Sequence, residues 1–127
     1  MPHSAPPVIS FDQVNRADTG LVGGKNASLG EMIQALGAKG IRVPPGFATT
    51  AAAYRGYLSA NKLEARIRQQ LGALAAGRTD LPRAGKAIRA LILTGDWPAR
   101  TAQAILAQYR SLSAAAGQPD LPVAVRS

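Results

Sequence analysis

The clearest structural signal in this chain lies in residues 20–37, which read GLVGGKNASLGEMIQALG. Apolar residues recur there at the i, i+3, i+4, i+7 spacing of one helix face, at Leu29, Met32, Ile33 and Leu36. The spacing predicts an amphipathic helix over residues 26–37. Its start is marked by Ser28, which forms a candidate capping box with Glu31, or by Asn26.

A glycine cluster opens directly into this helix. Gly23 and Gly24 let backbone amides approach an anion closely, the helix start adds partial positive charge, and Lys25 adds a full one. The pattern suits a phosphate group. It is not a Walker A loop, because Thr19 stands where that loop needs glycine and Asn26 follows the lysine. A flexible glycine turn with a solvated lysine explains the same residues, and the local pattern alone leaves both interpretations open.

The rest of the chain predicts four more helices and a few short strands. The helices begin after Thr49 or Thr50, at Leu63, after Asp80 and after Asp96. Strands are expected near residues 8–11, 46–49 and 122–127, and the proline-rich residues 1–7 are expected to form a disordered leader. The fold class is therefore helix-rich α/β, with about four to five helices and a few short strands.

Composition excludes several kinds of site. The 127 residues include no cysteine and one histidine, which removes disulfide frameworks, zinc fingers and cysteine nucleophiles. The single histidine, His3, falls in the expected leader and is not a catalytic candidate. No carboxylate pair, metal-ligand cluster or nucleophilic triad can be assembled, so we expect no catalytic and no metal-binding residue in this chain. No apolar stretch approaches the roughly 20 residues that span a bilayer, and a cytoplasmic protein is expected.

The positive charge is concentrated in residues 39–110, which hold twelve basic and three acidic residues of a chain with net charge +8. Arginines dispersed along amphipathic helices are typical of solvated helix faces, which is the interpretation that we favour. The competing class is a small basic helical protein that binds nucleic acid.

The last residues of the sequence, 121–127, read LPVAVRS and alternate small apolar residues. A strand here needs a partner strand that the sequence barely supplies, so we expect the chain to be a piece of a longer protein. Arg126 lies in this otherwise apolar segment. It either points its guanidinium at a ligand phosphate or stands exposed at an edge.

Three of these stretches together resemble one enzyme family. They are VGGKNASLGEMI at residues 22–33, VPPGFATTA at 43–51 and VAVRS at 123–127. In this order they are similar to the opening of the phosphoenolpyruvate synthase (pyruvate, water dikinase) family, and the resemblance extends from about Val8 onward. It implies that residues 8–127 are the N-terminal subdomain of an ATP-grasp-like ATP-binding domain, truncated at its C-terminal end.

The resemblance also implies a reaction and a set of site residues. Members convert ATP, pyruvate and water to AMP, phosphoenolpyruvate and phosphate in gluconeogenic metabolism, with Mg²⁺ and a phosphorylated histidine. By motif position, Lys25 and Arg126 would hold the ATP phosphates, and Gly23 and Gly24 would give backbone access beside them. The phosphohistidine, the Mg²⁺ ligands and the pyruvate site would lie outside this chain, which alone would be inactive.

Two related families share the implied architecture, namely pyruvate, phosphate dikinase and the rifampin phosphotransferases. The wording GFATTA at residues 46–51 is most similar to the synthase. The expected partners are therefore ATP, with pyruvate and phosphoenolpyruvate reached through other domains, and neither a membrane nor a nucleic acid.

Overall fold

A computed structural model describes residues 5–127 of the chain, and within them it is helix-rich with one small sheet. The helix-rich α/β class predicted from the sequence is confirmed. The chain forms two compact units. The first unit comprises the residues up to 53 together with residues 99–127, and the second comprises residues 54–98.

The sheet of the first unit has two antiparallel strands, β1 (Val8–Ser10) and β2 (Phe47–Thr49). They fall at two of the three predicted positions. The third predicted strand, at residues 122–127, is wrong for the described chain, where that segment forms no strand. A strand needs a neighbour to complete its hydrogen bonds, and β1 and β2 pair only with each other.

The chain before β1 is hydrogen-bonded to the start of the helix that begins at Ala51. The backbone amide of Thr50 donates to the Pro7 carbonyl at 3.0 Å, and the Thr50 hydroxyl donates to the Pro6 carbonyl at 2.7 Å. The last two residues of the expected leader are thus hydrogen-bonded, whereas residues 1–4, including His3, lie outside the described residues. The Thr50 hydroxyl oxygen also accepts from the Ala53 amide at 3.2 Å, which makes Thr50 the cap.

Two helices flank the glycine cluster, α1 (Thr19–Val22) and α2 (Gly24–Gly37). The expected flexible turn is therefore mostly helical, and only Gly23, with φ of +82°, breaks the path between α1 and α2. Helix α2 begins two residues earlier than predicted. The capping box is wrong, because Ser28 lies inside the helix and the Glu31 carboxylate accepts a hydrogen bond from the Arg16 amide instead.

The buried face of α2 is not the apolar stripe seen in the sequence. The residues of α2 that are buried are Ala27 and Gly30, whereas Met32 is 45% exposed. The reason is backbone contact: a side chain at Gly30 would collide with the carbonyls of Phe11 and Val14. Small residues therefore bring α2 against this turn, and the core of the first unit forms around Val14, Val22, Ala27 and Ala48.

The other helices lie close to their predicted positions. They are α3 (Ala51–Ala60), α4 (Leu63–Ala75), α5 (Leu81–Leu93) and α6 (Ala99–Ala116). In the second unit, α4 and α5 pack together and bury Leu63 and Ala84. The predicted cap of α5 is confirmed, since the Asp80 carboxylate accepts from the Arg83 amide at 2.9 Å. No helix among residues 5–127 is both long enough and apolar enough to cross a membrane.

Candidate phosphate-binding site

The start of α2 offers backbone amides to a ligand. Gly23 precedes the helix in a conformation that favours glycine. Among the described residues, no side chain caps the first amides of α2 from the Gly23 position. The first amides of a helix have no partner inside the helix, and they carry the positive end of its dipole. Gly23 and Gly24 are both exposed, so these donors remain accessible to an anion.

Lys25 is exposed on the first turn of α2 and reaches the far end of the chain. Its Nζ atom donates to the backbone oxygen of Ser127, the last residue of the sequence, at 3.0 Å and across a separation of 102 residues. Arg126 immediately precedes Ser127. The structure thus brings together the parts of the chain that hold the four predicted site residues, Gly23, Gly24, Lys25 and Arg126.

An apolar groove lies beside this point within the first unit. Its volume is about 910 Å³, which falls within the range typical of small-molecule sites. Asn26 and Leu29 of α2 line it, as do Phe47 of β2, Leu112 of α6 and Arg126. Arg126 therefore lines the groove directly, and Asn26, which also lines it, is the neighbour of Lys25 on α2.

Two hydrogen bonds hold the walls of the groove in place. The Asn26 amide group donates to the Val22 carbonyl at 2.9 Å and so fixes the junction between α1 and α2. The Tyr109 hydroxyl donates to the Leu121 carbonyl at 2.8 Å and ties the terminal segment to α6. The second bond fixes Leu121, the first residue of the terminal segment, against α6.

The chemistry available here is binding and charge neutralisation. Lys25 and Arg126 supply fixed positive charge, and the α2 amides supply directional donors. Within residues 5–127 no three histidine, cysteine or carboxylate side chains come close enough to hold a metal ion.

Sequence reasoning missed two features of this site. The groove is formed by segments that are far apart in the chain, so no local sequence pattern predicts it. The contacts that anchor α2, made by Glu31 and Gln34, were also missed. The sequence did contain an indication of this face, because its small and polar residues recur at helical spacing: Ala27, Gly30, Glu31 and Gln34. The prediction followed the apolar residues on the opposite face instead.

A helix that starts with glycines, a lysine on its first turn and an arginine beside an apolar groove are features typical of nucleotide-binding surfaces. The family model described as "Pyruvate phosphate dikinase, AMP/ATP-binding domain" matches residues 19–127. The match covers most of the chain, and the chain belongs to this family.

Curated relatives give the same result. The chain is 48% identical over 121 residues to the phosphoenolpyruvate synthase of Neisseria meningitidis serogroup B and 44% identical over 121 residues to that of Pseudomonas aeruginosa. These matches cover 94% of this chain and 15% of each relative. The synthase of Escherichia coli K12 is 40% identical over 112 residues, which cover 87% of this chain and 14% of the relative.

The chain thus spans about 15% of the length of the first two relatives. The resemblance predicted from three short stretches of sequence is confirmed. The alternatives considered above, a pyruvate, phosphate dikinase, a rifampin phosphotransferase or a basic nucleic-acid-binding protein, are not favoured by these matches.

Proposed function

We propose that this chain forms the phosphate-binding part of the ATP-binding domain of a phosphoenolpyruvate synthase. Lys25 and Arg126 would hold the ATP phosphates, with Gly23 and Gly24 giving access to the backbone amides of α2. The observation that carries this proposal is the proximity of the Lys25 ammonium to the backbone of Ser127, 3.0 Å from its backbone oxygen, since it brings the glycine-rich helix start to the segment that contains Arg126.

The proposed reaction converts ATP, pyruvate and water to AMP, phosphoenolpyruvate and phosphate, through a phosphohistidine outside this chain. Phosphoryl transfer depends mainly on positioning and on neutralising charge that develops on the phosphate oxygens. Fixed cations and oriented amides supply that stabilisation. A bound Mg²⁺ would neutralise further phosphate charge, and its carboxylate ligands would come from outside the described residues.

Residues 8–127 would be part of a larger ATP-grasp-like domain. Two observations support this proposal: the relatives extend far beyond the matched segment, and the first unit leaves large apolar side chains exposed. Ile41 is 51% exposed, Val123 is 49% and Val125 is 91% exposed. Surfaces of this kind are typical of interfaces between parts of a protein. The complete enzyme would act in the cytoplasm, in gluconeogenic metabolism, and would bind pyruvate and phosphoenolpyruvate through its other domains.

Binding of ATP to the 127-residue chain is tested by NMR titration with Mg-ATP. We expect the amide signals of residues 23–26 and 125–127 to shift, with affinity in the millimolar range because one wall of a cleft desolvates a ligand poorly. The Lys25→Ala variant should lose these shifts. Lys39→Ala removes an exposed lysine from the same unit, just beyond α2, and should retain them.

A short RNA serves as the second ligand in the same titration. Shifts with RNA alone, spread over residues 60–110 and unaffected by Lys25→Ala, would contradict the proposed site and support the basic-protein alternative. Equal ATP responses in the Lys25→Ala and Lys39→Ala variants would contradict the role of Lys25.

The activity of the complete enzyme is tested in a chimera. In it, this chain replaces the matching segment of the Neisseria meningitidis synthase, with which it shares 48% of 121 residues. We expect the chimera to form AMP and phosphoenolpyruvate from ATP and pyruvate, and the 127-residue chain alone to form neither. A folded chimera without pyruvate-dependent AMP formation would refute the assignment to a synthase.

A further inference from the structure

Helix α2 is anchored to the chain before it by two polar side chains on one face. The Glu31 carboxylate accepts a hydrogen bond from the Arg16 amide at 3.0 Å. The Gln34 amide group donates to the Val14 carbonyl at 2.7 Å and to the Asp12 carbonyl at 3.1 Å. Three backbone groups of the turns at residues 11–18 are therefore bonded by side chains of a single helix.

The backbone of α2 lies unusually close to the same turn. A Cβ atom at Gly30 would stand 2.9 Å from the Phe11 carbonyl oxygen and would collide with that of Val14. Glycine at this position lets the two backbones meet, and the meeting brings Glu31 and Gln34 within reach of their partners. The Val14 side chain is fully buried at this contact, so the turn cannot move away without opening the core.

The anchoring residues Glu31 and Gln34 belong to the same helix as Lys25. Lys25 and Gln34 stand nine positions apart on α2, or about 13 Å along the axis at a rise of ~1.5 Å per residue. A helix with intact hydrogen bonds moves as a unit, so any sliding or rotation at Glu31 and Gln34 displaces Lys25 as well. A displacement of about 1 Å is enough to cost an enzyme on the order of 100-fold in rate.

We propose that Glu31 and Gln34 are positioning residues that fix the location of the Lys25 ammonium relative to the segment containing Arg126. They do so by holding α2 in one rotation and one axial register against residues 11–18. The role of these two residues in ATP binding rests on the proposed function of Lys25. Their role in placing Lys25 beside Ser127 is independent of any ligand.

The ligand-independent role is tested by paramagnetic NMR on the full chain. The chain has no cysteine, so Ser127→Cys gives a single attachment site for a nitroxide label. The substitution changes only the side chain, so the backbone oxygen that accepts from Lys25 is kept. The label should broaden the amide signals of residues 24–26. Gln34→Met removes the donor at similar volume, and Glu31→Ala removes the acceptor; both should reduce this broadening. Glu31→Gln keeps an acceptor oxygen and should restore it.

The role in ligand binding is tested by Mg-ATP titration of the same variants without the label. We expect the Kd to rise by about tenfold or more in Gln34→Met and Glu31→Ala, and to return close to the parent value in Glu31→Gln. Gln103→Met, which alters an exposed glutamine of α6, is the matched control and should bind as the parent does. All titrations are run well below each variant's melting midpoint, so that unfolding does not contribute.

The outcomes separate the two proposals. If the parent chain binds Mg-ATP, Lys25→Ala does not, and Gln34→Met behaves like Gln103→Met in both experiments, the positioning role is overturned while the proposed function stands. If Lys25→Ala binds like the parent, the proposed function is overturned. A lowered melting midpoint in Gln34→Met with unchanged broadening and unchanged Kd would show a purely structural role and would also overturn the positioning proposal.

Discussion

Replacing Gly30 with alanine tests the backbone contact on which the first unit depends. The added methyl group would meet backbone atoms, namely the carbonyl carbon of Val14 at 2.9 Å and the Phe11 carbonyl oxygen at 2.9 Å. Backbone atoms in a packed turn cannot rotate away as a flexible side chain can. Helix α2 must therefore move outward, which strains the two hydrogen bonds made by Gln34.

The expected change in the free energy of unfolding combines two destabilising contributions and one stabilising contribution. Overpacking costs about 1–3 kcal/mol, with the upper end expected for a collision with backbone. Weakening the Gln34 hydrogen bonds adds about 1 kcal/mol. Alanine in a helix interior returns about 1 kcal/mol relative to glycine. We expect Gly30→Ala to lower the free energy of unfolding by about 1–3 kcal/mol, a large share of the ~5–15 kcal/mol of a typical domain.

Urea unfolding followed by far-UV circular dichroism measures this loss. The midpoint should fall by about 0.5–1.5 M, given a slope of roughly 2 kcal/mol per M for a chain of this size. Tryptophan fluorescence is unsuitable, because the single tryptophan, Trp97, lies in the second unit. Gly37→Ala is the control in the same helix, since nothing lies within 4 Å of a Cβ there. Equal or higher stability of Gly30→Ala relative to Gly37→Ala would refute the close packing of α2.

The second unit offers two further tests, both followed by Trp97 fluorescence during urea unfolding. The Asp80 carboxylate caps α5 by accepting from the Arg83 amide, so Asp80→Ala should lower the free energy of unfolding by about 1 kcal/mol. An unchanged urea midpoint would contradict the capping role. Asn61→Ala removes a reciprocal pair with the Asp96 backbone, at 2.7 and 2.9 Å, and should cost about 1–3 kcal/mol. A loss no larger than that of Asp80→Ala would show that the pair contributes little.

Helix positions were readable from the sequence because proline, glycine and capping residues mark their ends locally. The cap at Asp80 needed no knowledge of the rest of the fold. The strands at residues 8–11 and 46–49 were also predictable, since two short apolar segments without helical spacing can pair with each other. In each case the deciding interactions are made within a few residues or between two such segments.

The packing of α2 was not readable in the same way. Its apolar stripe predicted one buried face, but Gly30 permits a backbone approach on the other face, and that approach depends on the shape of a distant turn. The strand expected at residues 122–127 failed for a related reason. Alternation of Val123 and Val125 indicates a strand only if another strand stands beside it, and the sequence pattern carries no information about that neighbour.

The candidate site also combines features that the sequence predicts locally with features that depend on the fold. The glycine-rich start of α2 and its lysine follow from local pattern, and the resemblance assigned Arg126 to the same role. Their meeting through the Lys25 to Ser127 hydrogen bond spans most of the chain and required the structure. The groove beside them is formed by α2, β2 and α6 together with the terminal segment, and it likewise has no local sequence pattern.

The most direct test of the phosphate-binding role of Lys25 is the kcat/KM for ATP of the synthase chimera, compared between Lys25→Ala and Lys39→Ala. Loss of a cation that stabilises a transferring phosphoryl group costs on the order of 100-fold or more. We predict a decrease of that size for Lys25→Ala and a value within about twofold of the parent chimera for Lys39→Ala, because an exposed lysine remote from the site contributes little. Equal values for the two variants would contradict the proposal that Lys25 binds the phosphates of ATP.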